Sequence, residues 1–97
     1  MTEAAYSARE SVVIVNQRGL HARASAKFVN AVAKLPGVEV MVTKDGNEAH
    51  GGSILGLMML GAAIGDSVDI IVTGEQAAAE AALMKLAGLI KDGFGED

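Results

Sequence analysis

Residues 36–52 read PGVEVMVTKDGNEAHGG, and this stretch decides the fold. Val38, Val40 and Val42 alternate with Glu39, Met41 and Thr43, the period-two pattern of a strand with one buried face. Asp45-Gly46 is a pair that accepts the left-handed backbone a two-residue hairpin turn demands at both positions. The spacing predicts a strand over 38–44, a tight turn, and a returning strand over 47–50. Pro36 and Gly37 close off the helix before it, because the residue ahead of a proline is pushed out of helical geometry.

The elements on either side follow the same logic. The alanine-rich stretch 21–35 sets Phe28, Val32 and Leu35 at helical spacing, with Lys27 and Asn30 on other faces. Ahead of it, residues 11–16 (SVVIVN) form a short β-branched run that predicts the first strand. Beyond the hairpin, Ser53 is a good N-cap for a short helix over 54–60, whose face at Leu57 and Leu60 is assigned to the core. Residues 67–73 (SVDIIVT) predict another strand. Thr73 and Gln76 match a capping box ahead of an amphipathic helix that uses Ala79, Ala82, Leu83, Leu86 and Ile90. The order β-α-β-β-α-β-α, with a hairpin in the middle, predicts an α+β fold: a four-stranded antiparallel sheet covered on one face by three helices.

Composition excludes several function classes. The chain has 97 residues, of which 51% are apolar, enough for one compact core, so a single domain over 1–97 is expected, with an ordered core over about 11–92. The first ten residues and 93–97 are expected to be mobile. With no cysteine there is no thiol nucleophile or disulfide, and His21 and His50 lack zinc-ligand spacing, so neither metal nor cofactor is expected. Net charge is −4 with three aromatic residues, which gives nucleic acid neither a basic track nor a stacking platform. No apolar run is long enough for a membrane span, and the polar opening MTEAAYSARES does not resemble a signal peptide; a cytoplasmic protein with no membrane partner is expected.

His21 stands where a glycine-containing turn hands over to a helix, with Arg23 two residues later. Free N–H groups and the positive end of the helix dipole favour an anion there. An imidazole so placed can carry a phosphoryl group on a ring nitrogen while the first helical turn binds its oxygens. Arg23 adds a planar set of donors suited to phosphate. Positive surroundings also favour a ring nitrogen with its lone pair free for attack.

The segment Gly19-Leu20-His21-Ala22-Arg23 resembles the active-site signature of the histidine-containing phosphocarrier (HPr) family of the bacterial phosphoenolpyruvate phosphotransferase system. The run Ser53-Ile54-Leu55-Gly56-Leu57-Met58-Met59-Leu60 resembles that family's regulatory serine and the helix it opens. The resemblance covers about residues 11–90 and implies an open-faced β-sandwich. It also implies that His21 accepts a phosphoryl group from Enzyme I and donates it to EIIA-type domains or regulators, with Arg23 stabilising the phosphate. The chain would then be a monomeric transfer intermediate of sugar uptake or a related branch, rather than a stand-alone enzyme. Ser53 would be the regulatory site, with HPr kinase/phosphorylase as a further partner. An alternative is a docking module of the same fold, switched at Ser53. A partner-contacting patch of Leu20, Ala22, Lys27, Ile54, Leu55 and Met58 is expected around His21. The chain departs from the family's usual pattern at Ala24, where proline is common, and at His50-Gly51-Gly52, where relatives have a more polar or basic approach to the serine.

Overall fold

The computed structural model describes residues 6–96 and contains four strands and three α-helices. In chain order these are β1 (Tyr6–Val13), α1 (Ala22–Ala33), β2 (Val38–Lys44), β3 (Asn47–His50), α2 (Ile54–Met59), β4 (Ser67–Gly74) and α3 (Gln76–Lys91); a 3₁₀ turn, Gly93–Gly95, follows. The strands form one antiparallel sheet in the order β1-β4-β2-β3. This is the predicted open-faced β-sandwich, with the predicted order of elements.

The hairpin forms as its sequence requires. Lys44 pairs with Asn47, and the two turn residues have φ of 52° (Asp45) and 84° (Gly46), the left-handed pair of a type I′ turn. Alternation then sorts the sheet's two faces. Ala8, Val12, Val40, Val42, Val68, Ile70 and Val72 point inward and are buried. They meet Ala79, Ala82, Leu86 and Ile90 of α3, Phe28 of α1, and Leu57 of α2 in a single apolar cluster. The opposite face is mostly polar, with Val13, Met41 and Ile71 among its side chains, and there Arg9 and Ser11 both hydrogen-bond Asp69 across the β1–β4 seam.

Three local expectations need correction. β1 starts at Tyr6, not Ser11, and ends at Val13. Its polar first half lacks the β-branched signal, and is held by α3 instead: the Tyr6 hydroxyl donates to Glu80 at 2.7 Å, and Lys91 pairs with Glu10 at 2.6 Å. The α3 cap is Glu75, whose carboxylate accepts from Ala78 N–H at 3.0 Å, because β4 runs on through Thr73 and withdraws that residue from capping. The ordered core also extends past 92, since Phe94 is buried against it. For residues 1–5 and 97 the expected mobility lies outside the described residues. Among the described residues, no helix is long and apolar enough to cross a membrane.

Candidate functional site

The turn that feeds α1 is tightly specified. Gly19 N–H donates to the Asn16 carbonyl at 3.1 Å, Leu20 N–H donates to the Ala62 carbonyl at 3.0 Å, and buried Asn16 donates from Nδ2 to the Gly19 carbonyl at 2.9 Å. Gly19 has φ +64°, and a Cβ there would lie 2.3 Å from the Ala62 carbonyl oxygen. Both backbone strain and overlap oppose a side chain, so Gly19→Ala is expected to destabilise the fold by about 1–3 kcal/mol. The check is the denaturant midpoint; an unchanged value would show that this turn relaxes without cost.

His21 is the N-cap of α1. Its carbonyl accepts from Ser25 N–H at 2.8 Å, and its ring Nδ1 accepts from Arg23 N–H at 3.3 Å. That place is usually taken by a serine, threonine, aspartate or asparagine oxygen. Here an imidazole lone pair takes it, so Nδ1 faces the positive end of the helix and the ring hydrogen belongs on Nε2.

Nε2 lies 2.6 Å from Glu96 Oε2, and the two side chains are only 22% and 19% exposed. The other carboxylate oxygen accepts from Asn16 Nδ2 at 3.1 Å. Asn16 cannot present its amide the other way round, because its nitrogen stands between two acceptors, Gly19 O and Glu96 Oε1. The Asn16 hydrogen bond, then that of His21, holds the Glu96 carboxyl below the usual carboxylate range, and the Lys27 charge acts in the same direction. Glu96 is therefore an anion at neutral pH.

The backbone that delivers Glu96 is unusual. Gly93, Phe94 and Gly95 have φ of 62°, 59° and 72°, three left-handed residues in succession. For a phenylalanine this costs about 1–3 kcal/mol. Burying the ring, which is 1% exposed, contributes about 1.5–3 kcal/mol. The two nearly cancel, so the polar anchors decide where this segment lies: Lys27 Nζ on the Phe94 carbonyl at 2.7 Å, and the Glu96 contacts.

The residues singled out from sequence distribute unevenly. Arg23 is exposed in the first turn of α1, and among the described residues its guanidinium makes no ion pair. Ser53 caps α2, with Oγ accepting from Gly56 N–H at 2.9 Å. Ala22 is exposed, and Ile54, Leu55 and Met58 present an apolar surface on α2, which packs against α1. Leu20 does not belong to that surface; it is buried, because the turn at Gly19 directs it into the core. Lys27 is exposed on α1, with its ammonium donating to the Phe94 carbonyl. His50 is exposed at the end of β3, away from any partner group among the described residues. Neither Asn16 nor Glu96 stands in a local pattern that points to the site. The one signal for them is the Gly93-Phe94-Gly95 run, an aromatic between glycines in a chain with three aromatics, which marks a residue to be buried by a special turn.

Residues 8–92 match the family described as "PTS HPr component phosphorylation site". The chain is 42% identical over 88 residues to the phosphocarrier protein HPr of Neisseria meningitidis, covering 91% of this chain and 96% of that protein. It is 32% identical over 89 residues to the phosphocarrier protein NPr of Escherichia coli, covering 92% and 97%. Among solved structures, HPr-C-His from Thermoanaerobacter tengcongensis superposes with a TM-score of 0.84 at 34% identity, covering 93% of this chain and 98% of that one.

Proposed function

We propose, from the premise that this chain belongs to the HPr phosphocarrier family of the phosphotransferase system, that His21 accepts a phosphoryl group from phospho-Enzyme I and donates it to EIIA-type domains. The observation that supports this reading best is the imidazole serving as the N-cap of α1. Nδ1 is the attacking atom: its lone pair faces the Arg23 N–H, so a phosphoryl group bonded there lies against the free N–H groups and positive dipole of the first turn. Transfer is an in-line displacement in which little beyond positioning and charge stabilisation is asked of the protein. The exposed Ile54, Leu55 and Met58 supply an adaptable apolar surface for successive partners.

Arg23 supplies the remaining positive charge. Its guanidinium offers a planar fork that lysine lacks, so Arg23→Lys is expected to slow Enzyme I-dependent labelling by about tenfold or more while leaving stability unchanged. An unchanged initial rate would remove Arg23 from the transfer step. The function itself is tested by relay. The chain, labelled from phosphoenolpyruvate through Enzyme I and then mixed with an EIIA-type domain, is expected to lose its label to that domain. A chain that docks but never acquires label would instead be a regulatory module.

A further inference from the structure

We infer that Glu96 is a positioning residue for phosphoryl transfer, holding the His21 ring in the tautomer whose Nδ1 lone pair is free and counterbalancing the charge the ring acquires. The inference rests on His21 being the phosphoryl acceptor, and it assigns a role to the segment after α3. A neutral imidazole carries its hydrogen on one nitrogen or the other, and the partner of one nitrogen settles the state of both. Here a carboxylate lies 2.6 Å from Nε2, and the Arg23 N–H faces Nδ1. A carboxylate can only accept, and a backbone N–H can only donate. The two contacts therefore select one tautomer, hydrogen on Nε2 and lone pair on Nδ1, before any partner arrives.

The placement of Glu96 is built rather than incidental. Three successive left-handed residues turn the chain back toward α1, the Phe94 ring is sealed in the core, and Lys27 fixes the Phe94 carbonyl. Asn16 then holds the second carboxylate oxygen with an amide that Gly19 orients. Each of Glu96's oxygens has one donor, so the carboxylate is fixed in direction as well as position. Its geometry is that of a part-buried carboxylate orienting an imidazole from behind, on the face away from the attacking nitrogen.

The charge balance follows. As Nδ1 bonds to phosphorus, the bond from phosphorus to the donor breaks and the donor keeps that electron pair. The ring retains its Nε2 proton and becomes a phosphoimidazolium, whose positive charge faces the Glu96 carboxylate. In onward transfer the Nδ1–phosphorus bond breaks, its electron pair returns to Nδ1, and the ring is again neutral with the same tautomer. Glu96 exchanges no proton in either direction.

Two variants test this, Glu96→Ala and Glu96→Gln. The second keeps the volume of the side chain, but its single carbonyl oxygen is contested between Asn16 and His21. Nitrogen NMR of the His21 ring, at a pH where the ring is neutral, is expected to show the Nε2–H tautomer in the wild type and a mixture of tautomers in both variants. Enzyme I-dependent labelling of His21 is expected to slow by about tenfold or more in both. An unchanged tautomer or an unchanged labelling rate in the folded variants overturns the inference. His21→Ala run alongside keeps the two readings apart: if it still takes label, the acceptor assignment fails, whereas if it takes none and the Glu96 variants match the wild type, only the role of Glu96 fails.

Discussion

With His21 replaced by alanine, the chain is expected to keep its fold and to take up no acid-labile phosphoryl group. The variant loses the proposed imidazole nucleophile at the α1 N-terminus, and removal of a nucleophile costs a transfer reaction about a thousandfold or more. It also loses the side-chain cap, worth about 0.5–2 kcal/mol, and leaves Glu96 with Asn16 as its one side-chain donor. A slightly lower melting temperature is thus expected together with complete loss of labelling. The sheet, α3 and the core do not depend on the ring, so circular dichroism should match the wild type. Normal labelling of this variant would overturn the carrier reading.

The second large effect is expected at Ser53. Replacing it with aspartate, or phosphorylating it, is expected to weaken docking to Enzyme I without unfolding the chain. Ser53 Oγ accepts from Gly56 N–H, and an aspartate oxygen serves equally well at that N-cap. The added negative charge meets the favourable end of the helix dipole, so the melting temperature should hold or rise slightly. The cost falls on the interface. Leu55 is 70% exposed, and Ile54 and Met58 are 41% exposed, so the charge enters the edge of an apolar surface that, on the proposed reading, the partner dehydrates. Desolvating it without a matching cation reduces affinity by roughly tenfold to a thousandfold. Equal labelling rates for wild type and Ser53→Asp, with the fold unchanged, would leave Ser53 as a helix cap and nothing more.

What could be read in advance depended on how local each determinant is. The hairpin at Asp45-Gly46, the end of α1 near Pro36 and the Ser53 cap are decided by neighbours within four residues, and all three appear in the structure. The first half of β1 was not legible, because Tyr6 and Glu10 are held by Glu80 and Lys91, more than seventy residues away. The site divides in the same way. His21 and Arg23 sit two residues apart on one helical turn, so their juxtaposition is written in their spacing. Glu96 reaches His21 from 75 residues away, through a turn whose geometry depends on burying Phe94 and anchoring it to Lys27. Leu20 turns away from the surface patch for a related reason: its direction is set by the close approach of Gly19 to Ala62, a contact between distant parts of the chain.

The central claim is that His21 is the point at which this chain takes up a phosphoryl group, and the most direct test is mass spectrometry of the wild-type chain after incubation with phosphoenolpyruvate and Enzyme I. The expected result is a gain of one phosphoryl group, lost on acid treatment and located on His21 by fragmentation of the intact chain. An unchanged mass, or a phosphoryl group found on another residue while His21 remains unmodified, would contradict the account.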